Sequence, residues 1–444
     1  MKLEKPKNEN YCATVVELKT FVDLPNCDNV KAAIIFNNQV IVGKECQPGD
    51  VGLFFPLETA LSKEFLGANN LFRKPELGNR DPQARGFFEE NGRVRCVKFR
   101  GHKSEGFFVP LSFLSYIVQD DAGMLTPGME FDTFEGYEIC HKYISKRNPG
   151  RIGGPKQGRL ARLEDKLLPN QFRFHIDTGQ LRKNAHRIVP EDLISITDKW
   201  HGTSVIFGNL LVRSEIPWYE KVLRAFGIQI ADEEYAPVWA SRRVVKGVGE
   251  PKALSRHYYN SDIWGIVGEE LRPLVPKGYT IYAEIVGWTP EGSPIQKGYS
   301  YSCAPGTHRT LIYRITHTTE DGDLLELSWK QVKDFCAKRG LEHVKQWYHG
   351  PARGFYPGPD HGIPVEEWQA GFLRAVENAF IKDDFCPFND FSVPAEGVVV
   401  KVERLDEAEA YKIKNYRFLE HETKALDKGE TDIEAEQEAE ANGE

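Results

Sequence analysis

The chain has 444 residues, enough for two or three domains, and its hydrophobic fraction of 41% is typical of a globular protein. No apolar run approaches ~20 residues, so the sequence predicts no transmembrane helix. Residues 1–7 lack the apolar core of a signal peptide. The eight cysteines lie singly, without a Cys-x-x-Cys pair, which argues against a zinc ribbon or a disulfide framework. We therefore expect a cytoplasmic protein whose cysteines are buried and reduced.

The net charge of −8 is unevenly distributed along the chain. Residues 425–444 carry eight acids and one lysine, whereas residues 141–187 carry twelve Lys or Arg against three acids, a local charge of +9. A basic segment of this kind is typical of a surface that binds a phosphate backbone, although a solvated linker would have the same composition. The acidic total therefore does not exclude a nucleic-acid partner.

Residues 10–140 predict mostly β structure, with short apolar runs at 11–20, 30–44 and 51–55 separated by Asn-, Asp-, Pro- and Gly-rich turns. Residues 93–100 alternate strictly and predict a strand that is basic on both sides. A partly open barrel that grips a backbone with such a strand is the pattern of an OB-fold. A basic edge strand that deters aggregation is the alternative.

The pattern changes after residue 145. Residues 146–170 are rich in Gly, Pro, Lys and Arg and predict a linker. From about 171 to 424 the pattern is mixed α and β, with helical spacing at 255–274, 328–340 and 365–380. We interpret the Trp and Phe residues of these helices as packing residues. Residues after 424 alternate acids with alanine and predict disorder.

The most informative motif is Lys199-Trp200-His201-Gly202, which follows an apolar strand at residues 193–197. A lysine amine can attack a phosphorus centre when it is neutral, so its surroundings must depress its pKa. The alternative is a surface lysine in a β-turn. Five further segments follow in order: Ser241-Arg242, residues 282–287, residues 311–315, residues 396–401 and residues 411–415.

This ordered set resembles the collinear motifs of the covalent nucleotidyltransferases, which comprise the polynucleotide ligases and the RNA capping enzymes. Most DNA ligases and capping enzymes carry aspartate where this chain has His201, and the Lys-x-His-Gly-Thr form resembles the phage RNA ligase 2-like branch. Residues 295–298, and residues 412–415 followed by 418–420, also look like that branch. Residues 15–55 look like the OB-type module that precedes the catalytic domain in one group of ATP-dependent RNA ligases, and residues 174–178, with 180–184 following, add to that likeness. One departure is that only about 30 residues follow Lys414, too few for the extra C-terminal domain of phage RNA ligase 2 itself.

The resemblance implies a fold and a set of boundaries. We predict an α+β protein with an N-terminal OB-like β-barrel module at residues 1–145 and a basic linker at 146–170. A mixed α/β nucleotidyltransferase (adenylation) domain, built on antiparallel sheets, follows at 171–424. Residues 425–444 form an acidic, disordered tail.

The resemblance also implies a reaction in which Lys199 is the nucleophile, ATP donates AMP, and Mg²⁺ or Mn²⁺ assists. Hard cations take oxygen ligands, which suits Glu396 and Glu284 as candidate metal ligands. Lys412 and Lys414 lie two residues apart on a predicted strand, so both side chains leave the same face and suit phosphate oxygens. The implied ATP- or AMP-binding residues are Asp198, His201, Gly202, Arg242, Glu284, Tyr313, Lys401, Lys412 and Lys414, with Arg243 as an alternative to Arg242.

The expected partners are RNA ends, in nicked duplex RNA or in an RNA–DNA hybrid, with no membrane and no obligate protein partner. The candidate RNA-binding residues are Arg93, Arg95, Lys98, Arg100, Arg182 and Lys183. A GTP-dependent capping guanylyltransferase and a catalytically dead nucleic-acid-binding module are the alternative functions. His201 and the N-terminal position of the OB-like module favour the ligase.

Overall fold

The computed structural model describes residues 2–118, 124–144, 163–214, 226, 232–249, 261–358, 363–382, 384–389, 391–404 and 408–429. These residues form a mixed α/β fold in which most sheets are antiparallel. The chain divides into two compact units, residues 1–144 with 419–427 and residues 145–418 with 428–444. In the described part of the chain, no helix is long and apolar enough to cross a membrane.

The described residues of the first unit are mostly β, as predicted. Its elements are β1 (Ala13–Glu17), β2 (Thr20–Val22), β3 (Val30–Ile35), β4 (Asn38–Gly43), β5 (Val51–Phe55), β6 (Thr59–Leu61), α1 (Lys63–Ala68), β7 (Val97–Phe99), β8 (His102–Ser104), β9 (Phe107–Pro110), β10 (Glu130–Phe131), β11 (Thr133–Phe134), β12 (Tyr137–Glu138) and β13 (Cys140–Lys142). The strands form a four-stranded sheet in the order β10-β1-β5-β9, a three-stranded sheet β2-β3-β4 and three strand pairs. Over the described residues these separate sheets do not close into one barrel, so the predicted OB barrel is not seen.

The predicted strand at residues 93–100 is wrong in its extent. Only Val97–Phe99 is a strand, and it pairs with β8 through a turn in which Arg100 and Gly101 both have positive φ, 48° and 88°. Two such residues define a type I′ turn, which ends the strand at Phe99 and begins β8 at His102. Arg93 is not exposed on a strand face, because its side chain is buried and forms an ion pair with Glu58 at 2.7 Å.

The second unit contains two larger sheets flanked by helices. Its elements are β14 (Gly179–Gln180), α2 (Leu181–Asn184), β15 (Leu193–Lys199), β16 (Thr203–Arg213), β17 (Glu233–Ala240), β18 (Val245–Val248), α3 (Ile263–Leu271), β19 (Tyr279–Gly287), β20 (His308–Thr318), β21 (Leu324–Glu326), α4 (Trp329–Arg339), β22 (Glu342–His343), β23 (Gln346–Pro351), α5 (Ala352–Phe355), α6 (Val365–Phe380), β24 (Gly397–Val402), β25 (Glu409–Lys414) and the beginning of α7 (Tyr416–Asp427). A five-stranded sheet has the order β14-β25-β24-β15-β23. A seven-stranded sheet has the order β18-β17-β16-β19-β20-β21, with β22 beside β20.

The helix predictions at 328–340 and 365–380 are confirmed by α4 and α6. Ser328 and Gln331 form a capping box at the start of α4, and Gly340 ends it with a φ of 65°. Of the predicted helix at 255–274, α3 supplies residues 263–271, and residues 255–260 lie outside the described residues. Most of the predicted linker, residues 146–162, and residues 430–444 of the predicted tail also lie outside them.

Each sheet of the second unit buries one face against helices. The apolar residues of β15 and β24 pack against α6, and those of β16 and β19 pack against α3 and α4. The tryptophans of these helices, Trp264, Trp329 and Trp368, are buried there, which confirms that the aromatic residues of α4 and α6 are packing residues. All eight cysteines are free thiols, and seven are buried. Because side chains alternate along a strand, the opposite face of each sheet carries the polar residues described next.

Candidate active site

Strand register places four lysines on one face of the five-stranded sheet. Lys199 of β15 lies opposite Gly397 of β24, and Lys401 of β24 lies opposite Ser195 of β15. On the next strand, Lys414 lies opposite Gly397 and Lys412 opposite Val399. Residues that are directly opposite, or two apart on one strand, project to the same face of an antiparallel sheet. Lys199, Lys401, Lys412 and Lys414 therefore share the face that α6 does not cover.

Glu396 is the centre of this group. One of its carboxylate oxygens, Oε1, lies 2.8 Å from Lys199 Nζ and 3.3 Å from Lys414 Nζ. Gly397, the next residue, has a φ of +148°, and a Cβ there would lie 2.1 Å from the carbonyl oxygen of Ile413. Glycine therefore permits the close approach of β24 to β25 that brings Glu396 beside both lysines.

The electrostatics of Glu396 favour its ionised form. Burial opposes ionisation, but the positive charges of Lys199 and Lys414 outweigh it, so the pKa of Glu396 lies below its ordinary value. Its second oxygen, Oε2, is buried and accepts no hydrogen bond from the described residues. A carboxylate oxygen without a donor is a ligand that a hard divalent cation can take.

Glu284 holds the turn that follows the lysine. The backbone N–H of Gly202 donates to Glu284 Oε1 at 2.8 Å, and the hydroxyl of Ser204 donates to Oε2 at 3.4 Å. Gln296, from the segment at 295–298 that the sequence singled out, donates to the carbonyl oxygen of Gly202 at 2.8 Å. A Cβ at position 202 would lie 2.2 Å from the carbonyl oxygen of Ile285, so the turn requires glycine. Three separate segments of the sequence thus meet at this turn.

His201 lies in the same corner of the site. Its ring packs edge-on against Tyr299 and Phe418, with centroid distances of 4.9 and 5.1 Å. Its backbone N–H donates to the hydroxyl of Tyr301 at 2.8 Å. The Phe418 ring also lies 4.9 Å from Lys414 Nζ, so one aromatic ring contacts both the histidine and the lysine.

Asp198 points to the other face of the sheet, away from Lys199. Its carboxylate accepts a hydrogen bond from the indole N–H of Trp347, and burial raises the pKa of Asp198 above its ordinary value. Its backbone N–H donates to the carbonyl oxygen of Lys345 at 2.9 Å. The side chain is therefore engaged with β23, and only the backbone of Asp198 stays near the lysine.

Arg242 and Arg243 share one partner that sequence reasoning did not single out. Their guanidinium groups lie 2.9 and 2.5 Å from the two carboxylate oxygens of Asp177. Asp177 lies in residues 174–178, and the resemblance of these residues to RNA ligases is the sequence signal that could have identified it. Tyr313 is half-buried beside His175, with a centroid distance of 5.1 Å.

Lys401 is buried in an ion cluster rather than exposed in the site. Its ammonium lies 2.8 Å from Glu326 Oε1, and the guanidinium of Arg314 lies 2.9 Å from Glu326 Oε2. Arg314 also lies 4.5 Å above the ring of Tyr282. Sequence reasoning missed Glu326, because it ends a short strand that belongs to no motif.

The candidate RNA-binding residues contact protein groups. Arg93 is buried against Glu58. Four others pair in this way: Arg95 with Asp427 at 3.1 Å, Lys98 with Glu420 at 3.0 Å, Arg100 with the carbonyl oxygen of Asn26 at 2.6 Å, and Arg182 with Glu377 at 2.7 Å. Lys183 lies in α2 and is partly exposed. The described residues contain no group of three or more His, Cys, Asp or Glu side chains arranged to hold a metal.

Neither a protein-family model nor a curated protein sequence matches this chain. Solved structures of Naegleria gruberi RNA ligase do match it in fold. A point mutant with AMP and Mn is 14% identical, with a TM-score of 0.54 over 92% of this chain and 98% of that one. Another with ATP and Mn is 13% identical, with a TM-score of 0.57 over 93% and 99%. An apo mutant is 14% identical, with a TM-score of 0.55 over 92% and 98%. This chain therefore has the fold of an RNA ligase, and at such low identity the similarity extends to the fold alone.

Proposed function

We propose that this protein is an ATP-dependent RNA ligase that joins 3′-OH and 5′-phosphate RNA ends through a lysyl-AMP intermediate. The observation that carries the proposal is the contact of Lys199 Nζ with the buried Glu396 carboxylate at 2.8 Å, with Lys414 on the same oxygen. The proposed nucleophile, the proposed phosphate-binding cation and the proposed metal-binding carboxylate therefore contact one another in one corner. The fold similarity to an RNA ligase whose structures hold ATP or AMP with manganese supports the same class of reaction.

The first step would transfer AMP to the lysine. Lys199 loses a proton, and its nitrogen attacks the α-phosphorus of ATP in line with the departing pyrophosphate. A second proton leaves the nitrogen as the phosphoramidate forms. The positive charge of Lys414 beside Lys199 favours the neutral amine, and Lys412 lies on the same face to meet phosphate oxygens. Arg242 or Arg243 would contact the ribose or a phosphate.

Glu396 fits a divalent cation, because its Oε2 atom is buried and unpartnered in the described structure. We propose Glu396 as a ligand of Mg²⁺ or Mn²⁺, with Glu284 as a second carboxylate that also fixes the turn at Gly202. A cation bound there would weaken the hold of Glu396 on the Lys199 proton and offset the charge of the phosphates.

Two further transfers would complete the joining. The 5′-phosphate of one RNA end attacks the phosphorus of lysyl-AMP, which releases Lys199 and leaves an adenylated 5′ end. The 3′-hydroxyl of the other end then attacks that 5′-phosphate and expels AMP. Each step exchanges one bond at phosphorus for another, so the protein contributes mainly by positioning the groups and stabilising charge. We propose that residues 1–145 act as an RNA-binding module, residues 171–424 as the adenylation domain, and that the reaction takes place in the cytoplasm of a cell or of a phage host.

Label transfer tests this proposal. Purified protein is incubated with α-labelled ATP, or separately with α-labelled GTP, in Mg²⁺ or Mn²⁺, and is then run on a denaturing gel. We expect a band from ATP that acid removes and alkali spares, and that the Lys199→Ala variant does not form. Label from GTP alone would place the protein with the capping enzymes. No label from protein freed of bound AMP would leave a nucleic-acid-binding module.

The polynucleotide is identified separately. Nicked duplexes with a labelled 5′-phosphate are compared in three forms, all RNA, RNA–DNA hybrid and all DNA. We expect sealing where RNA ends meet, in either the RNA duplex or the hybrid. Sealing of the DNA nick alone would contradict the RNA assignment.

A further inference from the structure

The two sheets of the second unit each turn one polar face toward the candidate active site. On the five-stranded sheet this is the face of Lys199 and Lys401. On the seven-stranded sheet, Glu284 and Tyr282 lie two apart on β19 and so share a face, and Arg314 lies directly opposite Tyr282. Glu284 bonds to the turn after Lys199, so the two faces meet at that end.

Glu326 joins the same two faces at the other end. Its carboxylate accepts a hydrogen bond from Lys401 Nζ of the five-stranded sheet at 2.8 Å. It also accepts hydrogen bonds from Arg314 Nε of the seven-stranded sheet, at 3.1 and 3.0 Å. Lys401 lies opposite Ser195, four residues before Lys199, which corresponds to about 13 Å along the strand.

Because the three side chains of this cluster are buried, each charge needs its partner to stay in place. The side chains of Glu326, Arg314 and Lys401 are 1%, 6% and 10% exposed. Removing one partner would leave a buried charge without compensation, so the sheets can separate or slide only at a large free-energy cost. A surface ion pair such as Arg309 with Glu342, at 35% and 52% exposure, imposes no such constraint.

We infer that Glu326 is a positioning residue, which fixes the spacing between the two faces that hold the nucleotide and acts through Lys401 and Arg314. This inference rests on the proposed adenylation reaction. It differs from the sequence-based expectation that Lys401 itself binds ATP or AMP. In the structure, Lys401 Nζ donates a hydrogen bond to Glu326. Lys401 lies four residues beyond Gly397, which is the residue opposite Lys199.

The two ideas predict different kinetics. If Glu326 sets the spacing of the cleft, its loss weakens ATP binding but leaves the bond-forming groups around Lys199 in place. If Lys401 contacts the triphosphate in the transition state, its release from Glu326 changes the rate at saturating ATP. A rise in KM at constant saturating rate indicates lost ground-state binding, whereas a fall in the saturating rate indicates a lost transition-state contact.

The test measures single-turnover label transfer from ATP, as a function of ATP concentration, in the full-length protein. The variants are Glu326→Gln, Glu326→Asp, which keeps the charge on a shorter side chain, and Glu342→Gln as the surface control. We expect Glu326→Gln to raise the ATP concentration for half-maximal rate about tenfold or more, with a saturating rate within about twofold of wild type. Glu326→Asp should recover part of this loss, and Glu342→Gln should match wild type.

A second variant guards against misfolding. In the triple variant Glu326→Leu with Lys401→Met and Arg314→Met, all three buried charges are replaced by apolar groups, so none is left without a partner. It should fold and show the same raised half-maximal concentration. An unchanged half-maximal concentration in both folded variants would overturn the inference, as would a fall in saturating rate alone. If wild-type protein takes no label, the proposed function fails. The role of Glu326 is then tested by the Kd for ATP, measured by equilibrium dialysis in wild type and in the folded variants. An unchanged Kd would overturn the inference.

Discussion

Replacing Gly397 by alanine tests the geometry of the site most directly. A Cβ at this position would lie 2.1 Å from the carbonyl oxygen of Ile413, and real Cβ contacts essentially never fall under 3.0 Å. Both atoms belong to hydrogen-bonded strands, so β24 and β25 would have to separate by about 0.9 Å or more, the difference of these distances. The backbone would also be strained, because its φ is +148°.

This separation of the strands would displace Glu396, the residue next to Gly397. A shift of about 1 Å in a positioned group can cost on the order of 100-fold in rate, so we expect label transfer from ATP to fall by that order. The strain and the lost strand contacts should lower the free energy of unfolding by about 2–4 kcal/mol. Gly340→Ala is the matched control, because Gly340 has a φ of +65° but no atom within 4 Å of the added Cβ.

The assay has two parts. All eight tryptophans lie between residues 200 and 368, so their fluorescence during urea denaturation reports on the second unit alone. The rate of lysyl-AMP formation is measured on the same samples under conditions where both variants are folded. Folded Gly397→Ala protein with a rate within threefold of wild type would refute the reasoning, because it would mean that Glu396 need not lie where the glycine places it.

Three further predictions follow from individual contacts. The pKa of Glu396 in the folded protein is lowered from its ordinary value of 4.5. The ionised carboxylate therefore stabilises the folded state at pH values above the unfolded-state pKa. This stabilisation is lost as the pH falls through the lower folded-state pKa. The difference in unfolding free energy between wild type and Glu396→Gln should therefore shrink as urea titrations move from pH 7 to below 4.5, and a pH-independent difference would contradict this. Glu420 and Asp427 pair with Lys98 and Arg95, so neutralising both acids, as Glu420→Gln with Asp427→Asn, should tighten binding of single-stranded RNA several-fold and steepen its salt dependence in fluorescence anisotropy. Unchanged affinity would argue that these basic residues do not bind RNA. Asp177→Asn removes the shared partner of both candidate arginines and should raise the Kd for ATP several-fold in equilibrium dialysis, whereas an unchanged Kd would separate the arginine pair from the nucleotide.

Local patterns predicted the regular elements well. The helix at 328–340 was visible because its apolar spacing, its Ser328 cap and its terminal Gly340 all act within a few residues of one another. The common face of Lys412 and Lys414 followed from strand alternation alone. The strand at 93–100 was wrong in its extent, because alternation does not reveal a hairpin turn at Arg100 or a buried partner for Arg93.

The sequence by itself determined the two long helices of the second unit, the mostly β character of the first, and the order of the motifs. Only the tertiary structure decided which charges meet. Glu396 is 197 positions beyond Lys199, and Glu326 is 75 positions before Lys401, so no local pattern relates either pair. Their proximity depends on the register of β15, β24 and β25 and on the packing of the two sheets. The physical reason is that local propensities act within a few residues, whereas register and burial are settled by the whole unit at once.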